Sequence, residues 1–270
     1  GHVPLFGLLA LVFLRILPRG IGESRLTSRS RSAITLGLTL LTALLSEGIQ
    51  ALGFGDASVG DLVRDMAGAI AFLCLHAGWT GPPAAWIRRV RFTAGGVILG
   101  VAALPSLVWS TAYVARNQRF PILLDGGSYL ARLFVEYRNA NGSSGAPPAG
   151  WPEPSSPDTL RLALKPGRYS GLVIHEPVAD WSAFTQLEVQ AFVPDASPLR
   201  VPLRIDDRAH RGDFQDRFNE SFLLAPGLNR IRIPLSQVRE APRDRSLDLT
   251  AITAVHLFAS RLEKSRALLV

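Results

Sequence analysis

Long apolar runs occupy the first part of the chain, and short alternating patterns occupy the rest. Apolar residues dominate at about 3–18, 33–54, 62–79 and 92–115, and these runs predict helices. A helix needs about 20 apolar residues to cross a bilayer, and the second and fourth runs reach that length easily. We therefore predict four membrane-spanning helices in residues 1–116, with a soluble four-helix bundle as the alternative.

After residue 116, apolar and polar residues alternate with a period of two. The alternation covers 160–164, 187–193, 199–205 and 230–235, with turn-forming residues such as Pro and Gly between these runs. Such a period is typical of strands that have one buried and one solvated face. We predict a multi-domain chain, in which an all-α polytopic transmembrane domain precedes an all-β sandwich of the jelly-roll type.

Composition marks the boundaries inside the second part. Residues 139–158 are rich in Gly, Ser and Pro, so we expect a long loop or linker there and not a regular element. We therefore divide this part into 117–158, the start of an external region, and 159–270, the sandwich. The last apolar run still reads as a strand at Val270, and we expect that strand to continue.

The basic character of the chain fits a membrane better than a nucleic acid. Lys plus Arg exceeds Asp plus Glu by 29 to 22, and the pI is near 10.4. Within 1–116, however, the Arg residues cluster at the ends of apolar runs, and within 117–270 acids and bases nearly cancel. We predict membrane lipids and no nucleic acid as partners. Cys74 is the only cysteine, which excludes a disulfide scaffold and disfavours a cysteine zinc site.

The loops between the apolar runs predict an orientation. Residues 19–32 contain four Arg and one acid, 80–91 contain three Arg and no acid, and 55–61 contain Asp56 and Asp61 without any base. Since positively charged loops stay in the cytoplasm, the first two loops are predicted inside and the third outside. Everything after residue 116 is then predicted to be extracytoplasmic.

Polar residues of the helical part converge on the predicted external side. Ionisable residues at membrane depth are costly, so they suggest a functional site. The alternative is structural, because Asp61 is placed to cap a helix and Asp65 to complement the helix dipole or pair with Arg64. The members of this polar cluster are His2, Glu47, Gln50, Asp61 and Asp65.

The spacing inside this cluster resembles a known family. Glu47-Gly-Ile-Gln50 is followed by a short loop and then by Asp61-Leu-Val-Arg-Asp65-Met-Ala-Gly68, which resembles the VanZ family of membrane proteins over about residues 1–79. His2 resembles the histidine at the outer start of an earlier span in that family. Asp65 stands where the family usually has Asn, and Asp56 where Arg is common. The resemblance implies a multi-pass protein of the bacterial cytoplasmic membrane, with a further span before residue 1.

Residues 160–270 resemble a second family. Tyr169-Ser-Gly, Asp180-Trp-Ser, Ile205-Asp-Asp-Arg-Ala-His210, Asp216-Arg-Phe-Asn219 and a Pro-Gly-Leu-Asn-Arg-Ile-Arg-Ile-Pro-Leu run follow one another. This series is similar to galactose-binding-like, carbohydrate-binding jelly rolls of bacteria. The resemblance implies a β-sandwich that binds a glycan.

Polar and aromatic residues in these motifs are the candidates for ligand binding, because sugars are held by bidentate polar groups and by aromatic faces. Trp181 has an alternative place in the core, and Asp216 and Arg217 have one in an internal ion pair. A calcium site of three Asp residues is a further alternative. The candidate ligand-binding residues are Trp181, Asp206, His210, Asp216, Arg217 and Asn219, and the calcium alternative would use Asp206, Asp207 and Asp216.

No phosphate-binding loop, nucleophile elbow or zinc-protease motif occurs in the sequence. We therefore predict no catalytic residues, no metal and no cofactor. The leading hypothesis is a VanZ-like membrane protein of the bacterial envelope that presents a carbohydrate-binding sandwich. The alternatives are an enzyme or transporter for a lipid-linked envelope substrate, and a structural module that docks a protein.

Overall fold

The chain forms two compact units, Gly1–Trp109 and Ser110–Val270. The computed structural model describes residues 2–18, 20–21, 24–25, 27–54, 58–81, 84–124, 126–151 and 158–270.

Helices make up nearly all of the described first unit. A two-stranded ribbon of β1 and β2 separates the first helix from the second, and a π-helical turn at Gln50–Phe54 extends the second. The elements are α1 (His2–Ile16), β1 (Gly20–Ile21), β2 (Ser24–Arg25), α2 (Ser28–Ile49), α3 (Val59–Thr80) and α4 (Ala85–Arg119), the last of which continues into the second unit.

These helices agree with the four predicted apolar runs. Three of them, Ser28–Leu52, Val59–Thr80 and Ala85–Arg119, are long and apolar enough to cross a membrane. The first helix is apolar but has 15 residues. The helix α4 has 35 residues and extends about 52 Å, longer than the roughly 30 Å hydrocarbon core of a bilayer. The predicted helical part is confirmed.

Small residues bring α1 and α3 close together. A Cβ atom added to Gly68 would lie 2.1 Å from the carbonyl oxygen of Val3, and one added to Gly7 would lie 2.4 Å from the ring of Phe72. Ala69 is fully buried in the same contact. Close approach over small residues is typical of helix pairs in membranes, where burial of apolar surface gives little association energy.

The second unit is a β-sandwich with two short helices, one before its first strand and one in its last part. All strand pairs are antiparallel. The elements are α5 (Tyr129–Arg132), β3 (Val135–Arg138), β4 (Ala140–Gly145), β5 (Thr159–Leu164), β6 (Gly167–His175), β7 (Gln186–Val193), β8 (Leu199–Asp207), β9 (Phe218–Leu224), β10 (Gly227–Pro234), α6 (Leu235–Glu240), β11 (Ile252–Leu262) and β12 (Arg266–Leu269).

Two five-stranded sheets enclose the core of the sandwich. Sheet A has the order β10-β7-β12-β5-β4, and sheet B has the order β3-β6-β11-β8-β9. The alternation seen in the sequence places Leu160, Leu162 and Leu164 of sheet A, and Leu203 and Ile205 of sheet B, in the core at 1 % exposure or less. The predicted fold class, a helical part followed by an all-β sandwich, is confirmed.

One segment that was predicted to be a loop forms a strand in the structure. Ala140–Gly145, inside the stretch rich in Gly and Ser, is the edge strand β4 and pairs with β5 over six positions. An edge strand is held by main-chain hydrogen bonds, which small residues make as well as large ones. Gly142 fits because a Cβ atom there would lie 2.1 Å from the ring of Tyr137. Residues 152–157 of the predicted loop lie outside the described part.

In sheet A, the central strand β12 makes few main-chain pairs with its neighbour β7. Among the described residues, β12 pairs with β5 over four positions but with β7 only at Leu269 and Phe192. A cavity of about 530 Å³ lies beside β7, and its lining includes core residues such as Leu172 and Leu203.

Candidate functional site

Four of the six candidate residues of the sandwich lie together in the structure. His210, Asp216 and Arg217 belong to the connection between β8 and β9, and Asn219 is the second residue of β9. Asp206 lies close by, at the end of β8. This connection, residues 208–217, is called the β8–β9 loop below.

Strand alternation directs the polar residues of sheet B away from the core. The odd-numbered positions of 199–205 are buried, so Arg204 and Asp206 point to the outer side. The neighbouring strand β11 turns His256 and Phe258 to the same side, and His256 is the register partner of Arg204. We call this surface the sheet B face; it comprises Tyr169, Arg204, Asp206, Arg217, His256 and Phe258.

Asp206 is the centre of a hydrogen-bonded network on the sheet B face. Arg204 donates to its two carboxylate oxygens, from Nε at 2.8 and 2.9 Å and from Nη2 at 2.6 Å. His256 Nε2 lies 3.1 Å from Oδ2 of the same carboxylate. Burial raises the pKa of Asp206, but hydrogen bonds from His256 and Arg204 outweigh burial and hold the pKa well below its ordinary value. The network therefore fixes three polar side chains in one geometry.

Asp216 anchors the β8–β9 loop to the body of the sandwich. Its carboxylate accepts from Arg245 Nε, and its Oδ2 accepts from the backbone N–H of Arg211 at 2.9 Å. Both hydrogen bonds lower the pKa of Asp216. Arg245 also donates from Nη2 to Oδ1 of Asp207, a fully buried carboxylate, at 2.7 Å. Asp216 thus has an internal ion pair, as the structural alternative supposed, but its partner is Arg245 and not Arg217.

Other candidates of the loop also have structural contacts. His210 Nδ1 lies 3.0 Å from the carbonyl oxygen of Asp216, and its Nε2 lies 3.3 Å from Nη2 of Arg204. Asn219 donates from Nδ2 to the carbonyl oxygen of Phe214 at 3.0 Å. These contacts hold the loop in position. His210 and Asn219 therefore support the loop and do not themselves form the surface.

Phe214 and Arg217 contact each other in the loop, where Phe214 is exposed and Arg217 is partly buried. The Phe214 ring is 69 % exposed, and the guanidinium of Arg217 lies over it at 5.4 Å from the centroid. The Nε atom of Arg217 is buried and has no hydrogen-bond partner among the described residues. Burial lowers the pKa of Arg217, and the nearby positive charge of Arg204 lowers it further.

An aromatic pair completes the sheet B face. Tyr169 and Phe258 meet edge to face, with ring centroids 5.4 Å apart and planes at 84°. Tyr169 is 52 % exposed, so the pair presents apolar surface beside the polar network. Sequence reasoning missed Tyr169, Arg204, His256 and Phe258 as site residues, although Tyr169 stands in one of its motifs. The positions of the last three between buried residues of β8 and β11 are the signal that could have found them.

Trp181 does not belong to the sheet B face. It is 3 % exposed, packs in the core cluster and donates from Nε1 to the carbonyl oxygen of Val178 at 2.7 Å. It lines the cavity next to β7, which is partly open to solvent. Trp181 therefore lies in the core, as the alternative interpretation of the sequence supposed.

The three carboxylates of the calcium alternative are all paired with arginines. Asp206 accepts from Arg204, and both Asp207 and Asp216 accept from Arg245. Guanidinium groups thus occupy the positions that a cation would take. Within the described ranges, no group of three or more His, Cys, Asp or Glu side chains could hold a metal ion.

The polar cluster of the helical unit is described in part. Glu47 accepts from the backbone N–H of Ser58 at 2.7 Å, just before α3 begins, and Asp61 pairs with Arg64 one turn later. Asp65 is 1 % exposed on the same helix. Gln50 begins the π-helical turn. The side chain of His2 and residue 56 lie outside the described part.

Comparisons with known proteins find similarity to solved structures alone. No family model matches the chain, and no curated protein matches it. A family 11 carbohydrate-binding module from Clostridium thermocellum, in complex with a β-1,3-1,4-mixed-linked tetrasaccharide, is 18 % identical with a TM-score of 0.38, over 54 % of this chain and 89 % of that one. An exo-β-agarase is 17 % identical with a TM-score of 0.40, over 50 % of this chain and 22 % of the agarase.

Proposed function

We propose that this chain is a membrane protein whose β-sandwich binds a saccharide on the sheet B face. The observation that supports this most is the position of the Tyr169–Phe258 pair beside the Asp206 network. Saccharide sites combine aromatic surface, which packs on sugar C–H groups, with a few fixed polar groups that recognise hydroxyls. Arg204, whose side chain is 24 % exposed, is already oriented by the buried Asp206, which the buried His256 also contacts, so binding would cost little side-chain ordering.

The helical unit is proposed to anchor the sandwich in a bacterial cytoplasmic membrane. The Arg-rich loops 19–32 and 80–91 support a cytoplasmic position for these loops by the positive-inside rule. The sandwich then lies on the extracytoplasmic side, where envelope polysaccharides are accessible. The Glu47–Gln50 and Asp61–Asp65 spacing supports a VanZ-like helical unit.

We expect cysteine labelling to give this orientation. In a Cys74→Ala background, Ser236→Cys on α6 should react with a membrane-impermeant maleimide in intact spheroplasts. Arg88→Cys, at the start of α4, should react only after the membrane is permeabilised. The reverse pattern would place the sandwich in the cytoplasm and contradict the envelope function.

Tyr169→Ala is expected to weaken saccharide binding about tenfold or more, because it removes an exposed aromatic ring at the centre of the proposed surface. The measurement is the Kd of the full chain in nanodiscs for a panel of neutral and acidic oligosaccharides. Tyr129→Ala is the matched control, since Tyr129 is 66 % exposed and lies on α5. Equal affinities of the two variants for a panel member that binds would exclude the sheet B face as the binding surface.

A further inference from the structure

Arg217 is a partly buried arginine of the sandwich whose Nε, like that of Arg132, has no hydrogen-bond partner among the described residues. Arg204 pairs with Asp206, Arg245 with Asp207 and Asp216, and Arg266 with Asp195. Arg217 has no carboxylate partner among the described residues, and its one ring contact there is with Phe214. Arg217 thus lacks the carboxylate pair that Arg204, Arg245 and Arg266 have.

A partly buried guanidinium without a partner is unfavourable. It stays charged at every physiological pH, and a buried N–H that makes no hydrogen bond costs about 1–3 kcal/mol. For Arg217 this N–H is Nε, which the protein encloses, so an incoming carboxylate would bind the Nη1–Nη2 edge of the guanidinium.

The charges around Arg217 also favour the binding of an anion. Arg204 lies close enough to affect its charge, while the nearest carboxylate, on Asp206, is already occupied by Arg204 and His256. The sheet B face therefore has an uncompensated positive charge between Phe214 and the Asp206 network. A neutral sugar would leave that charge unpaired, whereas a sugar with a carboxylate would neutralise it.

We propose that the saccharide bound by the sheet B face is acidic, with a uronic-acid carboxylate that pairs with Arg217 while the sugar ring packs near Phe214. This inference rests on the proposed function and names its ligand class. A carboxylate suits the site because its two oxygens match the two N–H groups on one guanidinium edge. A Lys ammonium at this position would attract the same charge but would lose the bidentate geometry.

The test compares acidic oligosaccharides with their own neutral forms. The probes are oligogalacturonate, oligomannuronate and oligoglucuronate, each paired with a carboxyl-reduced counterpart of equal length. For the full chain in nanodiscs, we expect at least one acidic probe to bind about tenfold or more tightly than its reduced counterpart. Arg217→Gln should abolish this preference, and Arg217→Lys should retain part of it.

Arg239→Gln is the control variant, since Arg239 is an exposed arginine on α6 and should leave the preference unchanged. Thermal unfolding of each variant checks that the sandwich remains folded. Equal affinities for the acidic and reduced forms, or a preference that survives Arg217→Gln, would overturn the acidic ligand and leave the proposed saccharide binding in place. Failure of every acidic and neutral probe to bind would overturn both.

Discussion

Asp207→Ala is expected to lower the free energy of unfolding of the sandwich by about 4 kcal/mol, because it leaves the Arg245 guanidinium without its buried partner. The Asp207 carboxylate is fully buried, and it also accepts from the backbone N–H of Asp248 at 2.9 Å. Thermal unfolding of the full chain in nanodiscs should show a midpoint about 10 °C lower. Asp213→Ala, an exposed position of the β8–β9 loop, should leave the midpoint unchanged.

The same substitution should also weaken saccharide binding at temperatures where the sandwich stays folded. Arg245 joins Asp207 to Asp216, and Asp216 holds the β8–β9 loop that presents Arg217. A released Arg245 would no longer hold the loop in one position. A variant with wild-type stability, or a less stable variant with wild-type affinity, would contradict the role of this ion pair as the anchor of the loop.

Asp206→Asn is expected to cost about 3 kcal/mol, since the amide cannot neutralise the guanidinium of Arg204. It should also change how stability depends on pH. The pKa of Asp206 lies below the ordinary value of 3.8 in the folded state, so its ionised form stabilises the fold above about pH 4. This contribution is lost as the pH falls from about 4 towards the depressed folded pKa.

Measuring the free energy of unfolding as the pH is lowered therefore distinguishes the wild-type protein from Asp206→Asn. The wild-type protein should lose stability more steeply than Asp206→Asn between about pH 4 and pH 2, because only the wild type must protonate Asp206. Unfolding midpoints measured across this range give the two slopes. Parallel slopes would mean that the Asp206 network does not stabilise the fold.

The sequence predicted the elements better than it predicted the site. Apolar runs and period-two alternation predicted the helices and the sandwich, because burial imposes these patterns locally. The strand β4 was not predicted, since its hydrogen bonds come from β5 and not from its own small residues. The candidates Asp216 and Arg217 were found as a motif, but their environments depend on distant partners.

Those partners explain why the roles of the site residues could not be read from the motif. Arg245 lies 29 positions after Asp216 and 38 after Asp207, and His256 lies 50 positions after Asp206. The register between β8 and β11 brings the last pair together. No local spacing encodes that register, so the fold was needed to show that Arg217 has no carboxylate partner among the described residues.

A footprint of the bound saccharide tests the central claim most directly. The full chain in nanodiscs would be saturated with the oligosaccharide that binds best, and hydrogen–deuterium exchange would be compared with and without it. We predict slower exchange in the β8–β9 loop and at the strand ends around Tyr169 and Phe258, with no change in β7 and β10. Protection confined to β7 and β10, or to the residues that line the cavity beside β7, would contradict binding on the sheet B face.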